Sequence, residues 1–77
     1  MSISNEEVAK LIQDGLPDAT VNVEGDGYKY EATVISESFT ELNTLKRQQA
    51  VYATVNDAIT SGALHALTIV AKTPDEQ

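Results

Sequence analysis

The sequence has 77 residues, no cysteine, one histidine and a net charge of −7 from 12 acidic and 5 basic side chains. A chain this short buries only about 60% of its unfolded surface, so residues 1–77 read as a single domain in which every long apolar segment joins one core. Missing cysteines exclude a disulfide staple, a thiolate zinc site and a self-contained iron–sulfur cluster, and the acidic balance disfavours a broad phosphate-binding surface.

The first residues, MSISNEEVAK, carry two acids and no apolar run. No window approaches the roughly 18 apolar residues of a membrane span. A soluble, cytoplasmic protein with no membrane contact is expected.

Ser4 and Glu7 match a capping box, with Ile3 and Val8 placed as a hydrophobic staple. Val8, Leu11 and Ile12 recur at helical spacing until Gly15 and Pro17 end the run, which predicts a helix over about residues 4–14. Residues 19–23 and 28–34 then alternate with period two around Glu24-Gly-Asp-Gly27, the signature of a β-hairpin. The alternation places Val21 and Val23 on one face with Tyr28, Tyr30, Ala32 and Val34.

Ser38 and Glu41 form a second candidate capping box. Leu42, Leu45, Tyr52, Val55 and Ile59 make one helical stripe, broken near Asn43-Thr44, so a short helical turn should precede a long helix over about 44–60. Phe39 and the tyrosines read mostly as core residues. Gly62 suits the C-terminal cap, and a last strand runs over about His65–Ala71 before Thr73-Pro74. A strand, a long crossover and another strand imply parallel pairing. The fold class is therefore α+β with the order α-β-β-α-β: a mixed three-stranded sheet with both helices on one face, similar to a KH type II arrangement.

Enzyme chemistry finds no footing, because there is no thiol nucleophile and no supported Ser/His/Asp set. Glu6-Glu7 and Asp75-Glu76 read as helix-dipole and tail solubility features. His65 packs at a strand entrance or serves as a ligand; its imidazole suits either role. Lys46 and Arg47, at the start of the long helix, are a solvated face or a small phosphate-binding patch.

The ordered set Gly25-Asp-Gly27, Phe39, Lys46-Arg-Gln-Gln-x-Val-Tyr52, Leu64-His-Ala-Leu67 and Thr73-Pro-x-Glu76 resembles the BolA-like family, and most of all its smaller acid-stress-associated paralogues. That resemblance implies a non-enzymatic partner of monothiol glutaredoxins, a monomer alone and a heterodimer with its partner. In the heterodimer a [2Fe–2S] cluster is shared with the glutaredoxin and its glutathione. It implies His65 as an iron ligand and a second ligand from the hairpin loop, commonly His or Cys. Here Lys29 stands at that loop position, and an ammonium has no lone pair to donate. Asp26 and Tyr28 are the other donors in the loop, both harder than the thiolates usual for clusters. Gln77 stands where the family often carries an aromatic residue.

Family members are also described as transcriptional regulators, so DNA binding through Lys46 and Arg47 is the alternative expectation. A KH domain, however, clamps backbone with a G-x-x-G loop, and the comparable turn here is Thr40-Glu-Leu-Asn-Thr44.

Overall fold

A computed structural model describes residues 3–76; Gln77 lies outside the described residues. The elements are α1 (Asn5–Gly15), β1 (Thr20–Gly25), β2 (Lys29–Ile35), a 3-10 turn (Glu37–Phe39), α2 (Thr44–Thr60), β3 (Ala66–Lys72) and a closing 3-10 turn (Pro74–Glu76). The sheet order is β1-β2-β3. β1 runs antiparallel to β2 with Val21 opposite Val34, and β2 runs parallel to β3 with Lys29 opposite Ala66. The α-β-β-α-β order and the mixed sheet are as the sequence implies.

One core forms between the sheet and the helices. Tyr30, Ala32, Val34 and Ile69 face it from the strands, Val8 and Ile12 from α1, and Val51 and Val55 from α2, all buried. Phe39 and Leu64 fill it from the connectors, at 0% and 1% exposure. Their depth explains why two short irregular segments hold fixed positions: releasing either would open a cavity rather than a surface dimple.

Helix ends follow local chemistry. The Ser4 hydroxyl accepts the Glu7 backbone N–H (3.1 Å) and donates to the Glu7 carboxylate (3.2 Å), so the expected pair forms the start of α1. The second candidate box does not form. The Ser38 hydroxyl donates instead to Asp18 (2.9 Å), Ser36 caps the 3-10 turn, and the Asn43 carboxamide oxygen accepts the Lys46 N–H (2.9 Å) at the start of α2. Asparagine competes well with serine as a cap, and position 43 is the one that matches where the helix begins.

The α2 stripe also differs from its expected rotation. Val51 and Val55 are buried, whereas Leu45 is 64% exposed and Tyr52 39% exposed. Residues 51 and 52 point about 100° apart on a helix, so the heptad spacing of Leu45 and Tyr52 marks a flank rather than the buried face. At the other end, Gly62 takes φ +83°, where a Cβ would be strained. Its N–H donates to the Ile59 carbonyl (3.1 Å), reversing the chain toward β3.

Candidate functional site

His65 is presented between two pinned neighbours. On one side Leu64 is buried, and its N–H donates to the Ala58 carbonyl at the end of α2 (3.1 Å). On the other, the Ala66 N–H donates to the Tyr28 carbonyl (3.4 Å), which opens the β2–β3 ladder. His65 is exposed, immediately before β3 rather than inside it. It does not pack into the core at the strand entrance.

The hairpin tip reaches the same end of the sheet. Asp26 Oδ1 accepts the backbone N–H groups of both Tyr28 and Lys29 at 2.9 Å, and the Asp26 N–H donates to the Lys29 carbonyl (3.3 Å). These two backbone donors, Lys29 first, hold the Asp26 carboxyl below its ordinary range. Asp26 therefore stays ionised, with Oδ1 committed to shaping the turn. The close approach of the strands also fixes Gly25, where a Cβ would lie 2.5 Å from the Lys29 carbonyl oxygen.

Because the turn continues through residue 28, Tyr28 is not the first inward residue of β2, as its spacing predicts. It is 63% exposed and stacks on His65, with ring centroids 5.5 Å apart and planes at 29°. Of the expected loop residues, the fold thus brings Tyr28 onto the imidazole. Lys29 is directed elsewhere: it lines a shallow depression of about 390 Å³ on the outer sheet face with Glu24, Glu31 and Thr68, and His65 is not part of that lining. Among the described residues, no three His, Cys, Asp or Glu side chains gather closely enough to hold a metal ion.

Lys46 and Arg47 part company. Lys46 is exposed at the start of α2. The Arg47 side chain is only 15% exposed and is held at each of its three nitrogens. Its Nε donates to the carbonyls of Phe39 (3.1 Å) and Leu42 (2.9 Å), while Nη1 and Nη2 reach the two carboxylate oxygens of Glu76 at 2.6 and 3.4 Å. Arg47 is a brace between the connector, α2 and the C-terminal turn, and a phosphate would compete there with the Glu76 carboxylate. Glu76 is correspondingly more than a tail acid. The Arg47 guanidinium, and after it the Thr73 backbone N–H, lower its carboxyl to about 2.

Sequence reasoning also missed a serine–aspartate tie. Ser36 and Ser38 hydroxyls donate to Asp18 Oδ2 at 2.6 and 2.9 Å, joining the α1–β1 loop to the connector after β2. Nothing in the local sequence links residues 18 places apart; only the sheet register brings them together. No described helix is long and apolar enough to cross a membrane.

Comparison with known proteins agrees with this geometry. The family model described as BolA-like protein matches residues 6–76. A protein from the rpoN-murA intergenic region of Acinetobacter guillouiae is 36% identical over 74 residues, covering 96% of this chain and 89% of the relative. The acid stress protein IbaG of Escherichia coli K12 is 31% identical over 74 residues, covering 96% of this chain and 88% of its own length. Among solved structures, a bolA protein homologue from Coxiella burnetii superposes with a TM-score of 0.86 at 32% identity, covering 96% of this chain and 95% of that one. A sheet of this order, a histidine offered just ahead of β3 and a match along almost the whole chain lead to one assignment: the chain belongs to the BolA-like family.

Proposed function

We propose that the chain is a non-catalytic, cytoplasmic partner of a monothiol glutaredoxin, and that His65 ligates one iron of a [2Fe–2S] cluster shared between the two. The observation that carries this reading is the exposed imidazole of His65, held between the buried Leu64 and the laddered Ala66. Imidazole is an established cluster ligand, and membership of the BolA-like family supports the role.

The donor set of this chain supplies one of the four terminal ligands that such a cluster takes. His65 supplies a nitrogen. Lys29 offers no lone pair and lies on the outer-face depression, and Asp26 commits Oδ1 to two backbone N–H groups, its other oxygen being a harder donor than the thiolates usual for clusters. The glutaredoxin cysteine and its glutathione take the two terminal positions on one iron and His65 takes one on the other, which leaves the fourth position to a water or a glutathione-derived group rather than to Lys29. When bound, the cluster provides an electron-rich iron–sulfur cargo for transfer; this chain's part is to present one nitrogen, orient it through the Tyr28 ring and cover one side of the group. The cellular role that follows is iron–sulfur trafficking under stress, in keeping with the acid-stress relative.

Direct nucleic-acid binding gains little support from Arg47, whose guanidinium is held by the Phe39 and Leu42 carbonyls and by Glu76 in a largely buried position. A heteronuclear NMR titration with a monothiol glutaredoxin and glutathione tests the reading. Residues 24–30 and His65 should shift together. Shifts confined to α1, or none, would overturn it.

A further inference from the structure

The open edge of β3 carries a hazard that α2 covers. Among the described residues, β3 pairs with β2 on one side only. The Ala66 N–H and the Lys72 carbonyl both point toward the β2 side, to Tyr28 and to the Ser36 N–H that follows the strand. Backbone groups alternate along a strand, so those of Leu67, Ile69 and Ala71 point outward. Residues 66–71 read Ala-Leu-Thr-Ile-Val-Ala, six uncharged residues rich in β-formers, with no glycine or proline. An exposed edge of that composition is a template for pairing with another copy of itself.

Two side chains of α2 already occupy that edge. The Gln48 carboxamide donates to the Ile69 carbonyl (2.8 Å) and the Tyr52 hydroxyl donates to the Leu67 carbonyl (3.2 Å). They lie four residues apart on the same helical flank as Leu45, which accounts for Tyr52 sitting outside the core. Of the three outward carbonyls, only that of Ala71 is left without a side-chain donor among the described residues. Charged Lys72 and then Pro74 close the strand at its far end, as flanking residues do beside segments prone to pairing.

We propose that Gln48 and Tyr52 guard the β3 edge against antiparallel pairing with the β3 edge of a second copy of this chain. The second copy is the favoured occupant because the segment is uncharged and self-complementary about Ile69: each outward N–H then meets an outward carbonyl of the other copy. A strand added there must first displace both side-chain donors. The guard acts on the edge strand that begins one residue after His65, and it stands whether or not a cluster binds.

The test is the double variant Gln48→Met with Tyr52→Phe, which keeps side-chain bulk and removes both donors. Sedimentation equilibrium should show it dimerising roughly tenfold or more tightly than the native chain, the scale of two lost competing hydrogen bonds. Hydrogen exchange should show new, concentration-dependent protection at the amides of Leu67, Ile69 and Ala71, and none gained at 66, 68, 70 and 72. Tyr52→Phe alone, with the ring retained, should give the same pattern more weakly, and serves if the double variant does not fold. A folded variant that associates no more than the native chain would overturn the proposal. So would a dimer lacking the alternating protection, since it would form through another surface.

Discussion

Removing the Arg47 side chain separates a structural brace from a phosphate contact. In Arg47→Ala the Phe39 and Leu42 carbonyls lose a charged donor 3.1 and 2.9 Å away, and the Glu76 carboxylate loses its partner. Hydrogen bonds to a charged group are worth about 1.5–3 kcal/mol each. Both connector carbonyls share the single Nε–H and can be rehydrated in part, so the two contacts together are assigned about 2 kcal/mol rather than the sum. For a domain of this size each kcal/mol moves the melting temperature by about 4–8 °C, giving a fall of about 8–16 °C. Thermal unfolding followed by far-ultraviolet circular dichroism measures it. Lys46→Ala, which removes an exposed charge of the same sign, should shift the midpoint by less than about 3 °C on the same scale. Equal and small shifts for the two variants would refute the brace, and would return Arg47 to the solvent-facing role its sequence position implies.

Further outcomes follow from the same contacts. The Glu76 carboxyl is held at about 2, below its ordinary value, so its stabilising contribution is complete above the ordinary carboxylate range and fades as pH falls from about 4.5 toward 2; Glu76→Gln should flatten the decline in melting temperature over that interval, and an unchanged slope would count against the pairing. Leu64→Ala removes a side chain 1% exposed and should cost about 2–5 kcal/mol in denaturant unfolding, with a loss under about 1 kcal/mol showing that the segment before His65 is not anchored. Tyr28→Leu should remove the ring-current displacement of the His65 imidazole protons in the NMR spectrum, since the centroids stand 5.5 Å apart; unmoved resonances would mean the rings do not stack in solution.

Much of the fold was legible because period and punctuation agree. The alternation of residues 19–23 and 28–34 around Gly25-Asp-Gly27 fixes the hairpin, and the observed register sets Val21 opposite Val34 as that alternation requires. Tyr28 was misplaced because strict period two carries the strand one residue too far. The Asp26 carboxylate, by taking the N–H groups of residues 28 and 29, keeps Tyr28 in the turn. The same limit applies to Ser38: a capping box is a local pattern, and a hydroxyl with Asp18 across the sheet satisfies it better than the next turn of chain.

The site was legible in half. His65 stands out as the only histidine, and the fold does deliver it to the surface beside the hairpin tip. Its aromatic neighbour was hidden by the misread strand start. Arg47 and Glu76 carry no spacing signal, being 29 residues apart, and only the return of the chain after β3 brings them together. Gln48 and Tyr52 were visible as a motif, yet their partners are backbone carbonyls, which any residue type supplies and no pattern can mark.

Loading a monothiol glutaredoxin with its cluster and adding this chain, native or His65→Ala, tests the central claim most directly. Visible circular dichroism reports the asymmetry around the iron. The account predicts a changed spectrum on adding the native chain and none on adding His65→Ala, with both chains equally folded by far-ultraviolet circular dichroism. The same change with both chains would contradict His65 as a ligand, and no change with the native chain would contradict cluster sharing itself.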